Sequence, residues 1–186
     1  MMVVKQTGPR ESAFDAIFGA HHQSVYLYLI RRGVSQHDAE DLTAEVFATA
    51  WRKRTQLPPH PLPWLYRVAG NHLLHHQRSH QRRQRLTHSL AAAAKTVPLT
   101  PAFNDDSSSD HVTAAIETLS AADQEVLRLA AWEHLTTSEL ADVLRCSESA
   151  ARVRLHRARK RLAAALDSSR NTPTRVSHPQ PIGLTP

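Results

Sequence analysis

Apolar residues recur along this chain at spacings of three and four, the period of a helix with one buried face, and nowhere alternate as they would along a strand. Phe14, Ile17, Phe18, Val25, Leu29 and Ile30 mark a first helix, opened by a capping box of Ser12 and Asp15 and closed by Arg31-Arg32-Gly33. Ser35 with Asp38 repeats the capping signal, and Ala39, Leu42, Val46, Phe47, Ala50 and Trp51 form the stripe of a second helix. LPPHPLP, residues 57–63, then imposes a stiff non-helical loop. A third helix is predicted from Pro63 to Arg85, with Trp64, Leu65, Val68, Ala69 and Leu73 facing inward.

The pattern fades after Leu86, and TVPLTPAFNDDSSSD at 96–110 reads as a linker. Helical spacing returns with VTAAIETL, followed by Ser120–Asp123 before QEVLRLAAW, Thr136–Glu139 before LADVLR, and Ser147 at the head of a last helix. The expectation is an all-α chain of two small domains, 12–86 and 110–167. A flexible linker at 87–109 would join them, with disordered tails at 1–11 and 168–186.

Charge adds an asymmetry that the apolar pattern lacks. The net charge is +6 at pH 7, which favours an anionic partner without saying which. From Glu11 to Glu45 there are six acids and two bases, and from Val46 to Asn104 no acid at all. From Asp110 to Glu148 there are eight acids and two bases, then six bases and no acid from Ser149 to Leu162. Each domain thus has an acidic front and a basic back.

The single Cys146 excludes an internal disulfide and a thiolate metal cluster within one chain, which fits a reducing compartment. The stretch MMVVKQTGPRES lacks the apolar core of a signal peptide, and no run approaches a membrane span, so a soluble cytoplasmic protein is expected. Among the thirteen histidines, His72, His75, His76 and His80 have helical spacing, but no nearby acid in sequence completes a site and HExxH is absent. They read as polar surface residues beside nucleic acid, and no metal or other cofactor is expected. A Gly-rich phosphate loop and a Ser-His-Asp set are also lacking, so the expected activity is binding rather than catalysis.

Thr137–Leu144, the break Arg145-Cys146-Ser147 and a longer basic helix have the order of a helix-turn-helix. In that arrangement Ala151, Leu155, Ala158 and Leu162 pack on Leu140, Val143 and Leu144, leaving the basic residues outside. The first turns of such a helix approach base edges, so Ser149, Ala150, Arg152, Val153 and Arg154 are readout candidates. Arg157, Arg159, Lys160 and Arg161 are phosphate candidates. A solvated face would mix signs, and a membrane-surface helix would carry a broader, aromatic stripe.

Three segments in order, DAEDLTAEVFATAW (38–51), PLPWLYRVAGNHLLHHQR (61–78) and TLSAADQEVLRLAAWEHLTTSELADVLRCSESAARVRLHRARKRL (118–162), resemble the bacterial RNA polymerase sigma factors of the extracytoplasmic-function group. The first two resemble region 2 of that family and the third region 4. The resemblance implies that Asp38, Asp41 and Glu45, with Leu42, Val46 and Phe47, meet the clamp helices of the polymerase β′ subunit. It places Asn71 at the promoter −10 element with Arg67, Arg78, Arg82 and Arg83 on phosphate, and the last helix at the −35 element. Core RNA polymerase, including the β flap, and promoter DNA are the implied partners, and an anti-sigma factor is one that the family admits. Relatives usually carry Gln at the place of Ala44, Arg at Gly70, an acid or amide at His75, Thr-Val at Ala150-Ala151 and Ser at Val153, so promoter preferences do not carry over. The rival reading is a helix-turn-helix regulator whose first domain senses a ligand or phosphorylation, although such a domain has no reason to contain the acidic segment, the proline loop and Asn71.

Overall fold

The computed structural model describes the backbone of residues 9–88 and 107–170, with side chains over 13–83 and 112–168. The expected tails and most of the expected linker lie outside the described residues. Seven helices and no strand are present among the described residues: α1 (Pro9–Ile30), α2 (Gln36–Arg52), α3 (Leu62–His88), α4 (Ser107–Glu117), α5 (Ala121–Ala131), α6 (Thr137–Leu144) and α7 (Glu148–Arg170).

Local signals place several helix starts. The Ser35 hydroxyl accepts from the Asp38 N–H at the head of α2, and Ser120 accepts from the Asp123 N–H at the head of α5. Thr136 and Glu139 complete a reciprocal capping box on α6. The first helix departs from expectation, starting at Pro9 rather than at Ser12. Proline suits a first turn because its missing N–H would lack an intrahelical partner anyway, so a residue of the expected tail opens the helix. The same tolerance applies to α3, which starts at Leu62 with Pro63 in its first turn. The fourth helix begins at Ser107, inside the expected linker, and α7 runs into the expected tail as far as Arg170.

The helices α1, α2 and α3 pack on one another around Val25, Tyr28, Leu29, Leu42, Val46, Phe47, Leu65, Ala69 and Leu73. Phe14 meets Trp51 edge-on at 5.0 Å, which fastens the first turns of α1 to the end of α2. The other three helices of the second unit, α4, α5 and α6, pack around α7. Leu129, Leu135 and Leu140 are continuous with the core of the first unit, and Val126, Leu127 and Ala158 form a smaller cluster.

Thr43 lies in the middle of α2 with no exposed surface, and its hydroxyl has no hydrogen-bond partner. A buried hydroxyl without a partner costs free energy that an isosteric methyl does not, and Val and Thr have similar helix propensity. Thr43→Val is expected to raise stability by about 1 kcal/mol in urea unfolding. A loss of stability would show that the hydroxyl is satisfied in solution.

Candidate nucleic-acid interface

The basic helix α7 is positioned by a tight turn and two alanines. Arg145 ends α6 in the left-handed conformation, φ 51°, and the Cys146 N–H donates to the Ala141 carbonyl at 3.1 Å. Ala151 and Ala158 are fully buried, and their small side chains let α7 approach closely. The sequence stripe divides here between two supports. Ala151 joins the cluster of Leu140 and Ala141 on α6, whereas Ala158 packs against Val126 and Leu127 of α5. A helix fixed at two levels is held as a rigid rod, which direct readout requires.

The outer face of α7 exposes Ser149, Arg152, Val153, Arg154, Arg157, Arg159 and Lys160, with Ala150 half-buried at its edge. Val153 is 46% exposed, an apolar side chain on an otherwise polar face and suited to contact with a thymine methyl group. Two of the expected contacts are already engaged. Arg152 reaches back to Glu148 at 3.1 Å. The Arg161 Nη1 donates to both oxygens of Asp123 at 2.8 Å, so this guanidinium ties α7 to the head of α5. Arg161, a phosphate candidate in the sequence, is thus also an anchor of α7. Sequence spacing could not show it, because the two residues are brought together by packing. The Ser120 hydroxyl and then Arg161 hold the Asp123 carboxyl below the usual carboxylate range.

In the first unit, α2 and α3 present surfaces of opposite sign. Asp41 and Glu45 are exposed on α2, with Asp38 partly exposed beside them. Leu42, Val46 and Phe47 face the other way and are 5%, 0% and 4% exposed, so their packing is internal rather than at a surface. Along α3, Asn71, Arg78, Arg82 and Arg83 are exposed, and Arg67 is half-buried with its Nη1 3.4 Å from the Asp142 carbonyl of α6.

The histidines acquire partners that the sequence hid. His72 Nδ1 lies 2.9 Å from Glu45 Oε2 and His76 Nε2 lies 3.5 Å from Asp38 Oδ1, so α3 is bridged to the acidic edge of α2. The acids come from the preceding helix rather than from the histidine segment itself. His76 also stacks on His80, with ring centroids 6.3 Å apart. Among the described residues no group of three or more His, Cys, Asp or Glu could hold a metal ion. No helix among them is long and apolar enough to cross a membrane.

Two family models cover both units. Residues 17–83 match sigma-70 region 2, and residues 110–162 match sigma-70 region 4. The chain belongs to the sigma-70 family. Region 2 followed directly by region 4 places it in the extracytoplasmic-function group. The RNA polymerase sigma factor CarQ of Myxococcus xanthus is 29% identical over 161 residues, 84% of this chain and 90% of that protein. Two solved structures share the fold. The sigma factor RpoE in complex with the anti-sigma factor NepR from Bartonella quintana is 20% identical, with a TM-score of 0.61 over 84% of this chain and 98% of that one. CnrH in complex with the cytosolic domain of CnrY is 24% identical, with a TM-score of 0.57 over 84% and 89%.

This sigma factor therefore binds core RNA polymerase and directs promoter recognition and transcription initiation, as a member of a family of non-catalytic initiation factors. The region 2 match over 17–83 leaves no place for a sensor domain in the first unit, which removes the rival regulator.

Proposed function

We propose that the acidic edge of α2 docks on the basic clamp helices of the polymerase β′ subunit, that α3 receives the −10 element, and that α7 reads the −35 element. The observation that carries this assignment is the segregation of exposed charge. Asp41 and Glu45 stand together on α2, whereas α3 exposes Arg78, Arg82 and Arg83, and α7 exposes Arg154, Arg157, Arg159 and Lys160. Leu42, Val46 and Phe47 support the edge from beneath. The −10 step has Asn71 meet an unstacked non-template base, with the proline loop at 57–63 keeping the adjoining wall stiff so that extraction of the base is repaid. Region 4 docks on the β flap and lays α7 in the major groove, with Ser149, Ala150, Arg152, Val153 and Arg154 nearest the bases. The sigma factor catalyses nothing itself and acts in the cytoplasm. The two relatives bound by an anti-sigma factor and by the cytosolic domain of CnrY support a protein inhibitor as a further partner.

Asp41→Arg with Glu45→Arg replaces two exposed acids without touching the core. The double variant is expected to keep its helicity and to bind core polymerase at least tenfold more weakly, since like charges meet across the interface. Unchanged binding in a pull-down with purified core would place the clamp contact elsewhere.

A further inference from the structure

Basic side chains of this protein are of two kinds. Some have their charge taken up inside the fold: Arg32, 3% exposed in its side chain, donates to Glu125 at 2.9 Å and to Glu133 at 3.3 Å, and Arg161 is held by Asp123. Others stand exposed, and three of these, Arg52, Lys53 and Arg54 at the end of α2, belong to none of the contacts assigned above. None of the three has a carboxylate partner among the described residues, although ion pairs of His72 with Glu45 and of His76 with Asp38 join the same α2 to α3. A helix end favours a cation near its last carbonyls, and that accounts for Arg54. Its Nη1 donates to the Trp51 carbonyl at 3.0 Å, and its guanidinium lies 4.4 Å from the centre of the Trp51 ring. Arg52 and Lys53 remain. The Arg52 Nη2 reaches back to the Thr49 hydroxyl at 3.0 Å, and the Lys53 side chain has no partner among the described residues.

Packing sets where this end of α2 lies. Asp38 meets His76 and Glu45 meets His72, so positions fall along α3 as they rise along α2 and the two helices are antiparallel. Thr49 meets His72 as well, with 3.3 Å between Oγ1 and Nε2. Arg52, one turn past Thr49, therefore stands nearer the start of α3 than His72 does, on the side of the proline loop at 57–63. His72 is the chain neighbour of Asn71, and two hydrogen bonds through Thr49 lead from its imidazole to the Arg52 guanidinium. The bases of α3 lie mostly the other way: Arg78, Arg82 and Arg83 come about two to three turns after Asn71. Of the assigned cations only Arg67 precedes Asn71, and it is half-buried with its Nη1 3.4 Å from the Asp142 carbonyl. Exposed Asn71 thus stands between two groups of exposed bases, one on each helix.

Extraction of a base turns its nucleotide about the backbone. The strand follows the base unless the phosphates on both sides are held, and α3 places its exposed cations on one side only. We infer that Arg52 and Lys53 bind the promoter phosphates on the loop side of the extracted base, so that its nucleotide is clamped between the end of α2 and the Arg78, Arg82 and Arg83 stretch of α3. This rests on the assignment of Asn71 to an unstacked base of the −10 element. The bond to Thr49 orients the Arg52 guanidinium with one of its N–H donors and leaves the rest for a phosphate. Lys53 adds a mobile point charge beside it. Arg54 keeps its place on Trp51 and closes the end of the helix.

The test uses holoenzyme and a promoter fork whose single-stranded −10 segment carries an uncharged methylphosphonate in place of one phosphate at a time. Arg52→Ala and Lys53→Ala change exposed positions, and each is expected to weaken binding about fivefold at 0.1 M salt. Neutralising a loop-side phosphate is expected to weaken the wild type about as much and the matching variant no further, because that contact is already gone. Arg78→Ala is the control, and its loss should merge with that of a phosphate on the opposite side of the same nucleotide. Affinity for core in a pull-down without DNA is expected to stay unchanged. If the losses of Arg52→Ala and Lys53→Ala add to that of every neutralised phosphate while Arg78→Ala merges with one, the inference fails and the assignment of α3 stands. If Arg78→Ala adds everywhere too, the assignment of α3 fails and the inference with it. Merging of Arg52, Lys53 and Arg78 with phosphates on one side of the nucleotide would overturn the clamp. A loss of core affinity as large as the loss on DNA would place the two bases on the polymerase and overturn it as well.

Discussion

A holoenzyme in which Arg157, Arg159 and Lys160 are all replaced by alanine is expected to bind its promoter about 100-fold more weakly at 0.1 M salt, and to lose about 2.7 from the slope of log K against log salt. The three side chains are exposed on the outer face of α7, where substitution leaves the buried Ala151 and Ala158 untouched. Each phosphate neutralised by a cation releases condensed counterion, so three lost contacts remove about 0.9 each from the slope. Sequence preference should change little, because phosphate contacts position the helix and base contacts specify. The measurement is a salt titration of holoenzyme binding with wild type in parallel. A weaker complex with the wild-type slope would mean that these residues act by packing or on the polymerase. An unchanged complex would mean that α7 faces away from DNA. Arg161 is left out of the set because its guanidinium is held by Asp123, so its removal would confound anchoring of the helix with loss of a phosphate contact.

Leu140→Ala is expected to destabilise the protein by about 3 kcal/mol, roughly a 100-fold loss in the folding constant. Leu140 is fully buried in α6 and packs in one cluster with Leu129, Leu135, Ala141 and Ala151. Its neighbours sit on three different helices and the turn between two of them, so collapse into the space left behind would require those helices to shift together, and much of the cavity should persist. Urea unfolding followed by circular dichroism should show a lower midpoint with little change in slope. A loss below about 1 kcal/mol would mean that the interior under the helix-turn-helix is loosely packed.

Features that are local in the chain were legible in the sequence. The caps at Ser35, Ser120 and Thr136 each depend on one side chain and an N–H three residues on, and all three form as read. The start of α1 lies ahead of the Ser12 capping signal because a proline marks a loop and a helix entrance alike. Periodicity identified Leu42, Val46 and Phe47 as one stripe, but a stripe does not say whether its cover is the same chain or a partner, and burial in this chain decides that. The bond from Arg161 to Asp123 spans 38 positions, and the Arg32 contacts span 93 to 101. No periodic or capping pattern reports pairs so far apart. Charge bookkeeping along the chain found the acidic and basic blocks but could not show which of their residues neutralise each other in space.

The histidine bridges give the acidic edge of α2 a particular character. Glu45 already holds the imidazole of His72, and Asp38 that of His76. On the docking proposed above, a basic side chain arriving from a partner must take over a carboxylate that already has a histidine partner, so recognition at this edge proceeds by exchange of partners. The evicted imidazole belongs to α3, the helix that carries Asn71. On the proposed assignments, docking at one surface and the hydrogen-bonding freedom of the other are written into the same two pairs of side chains.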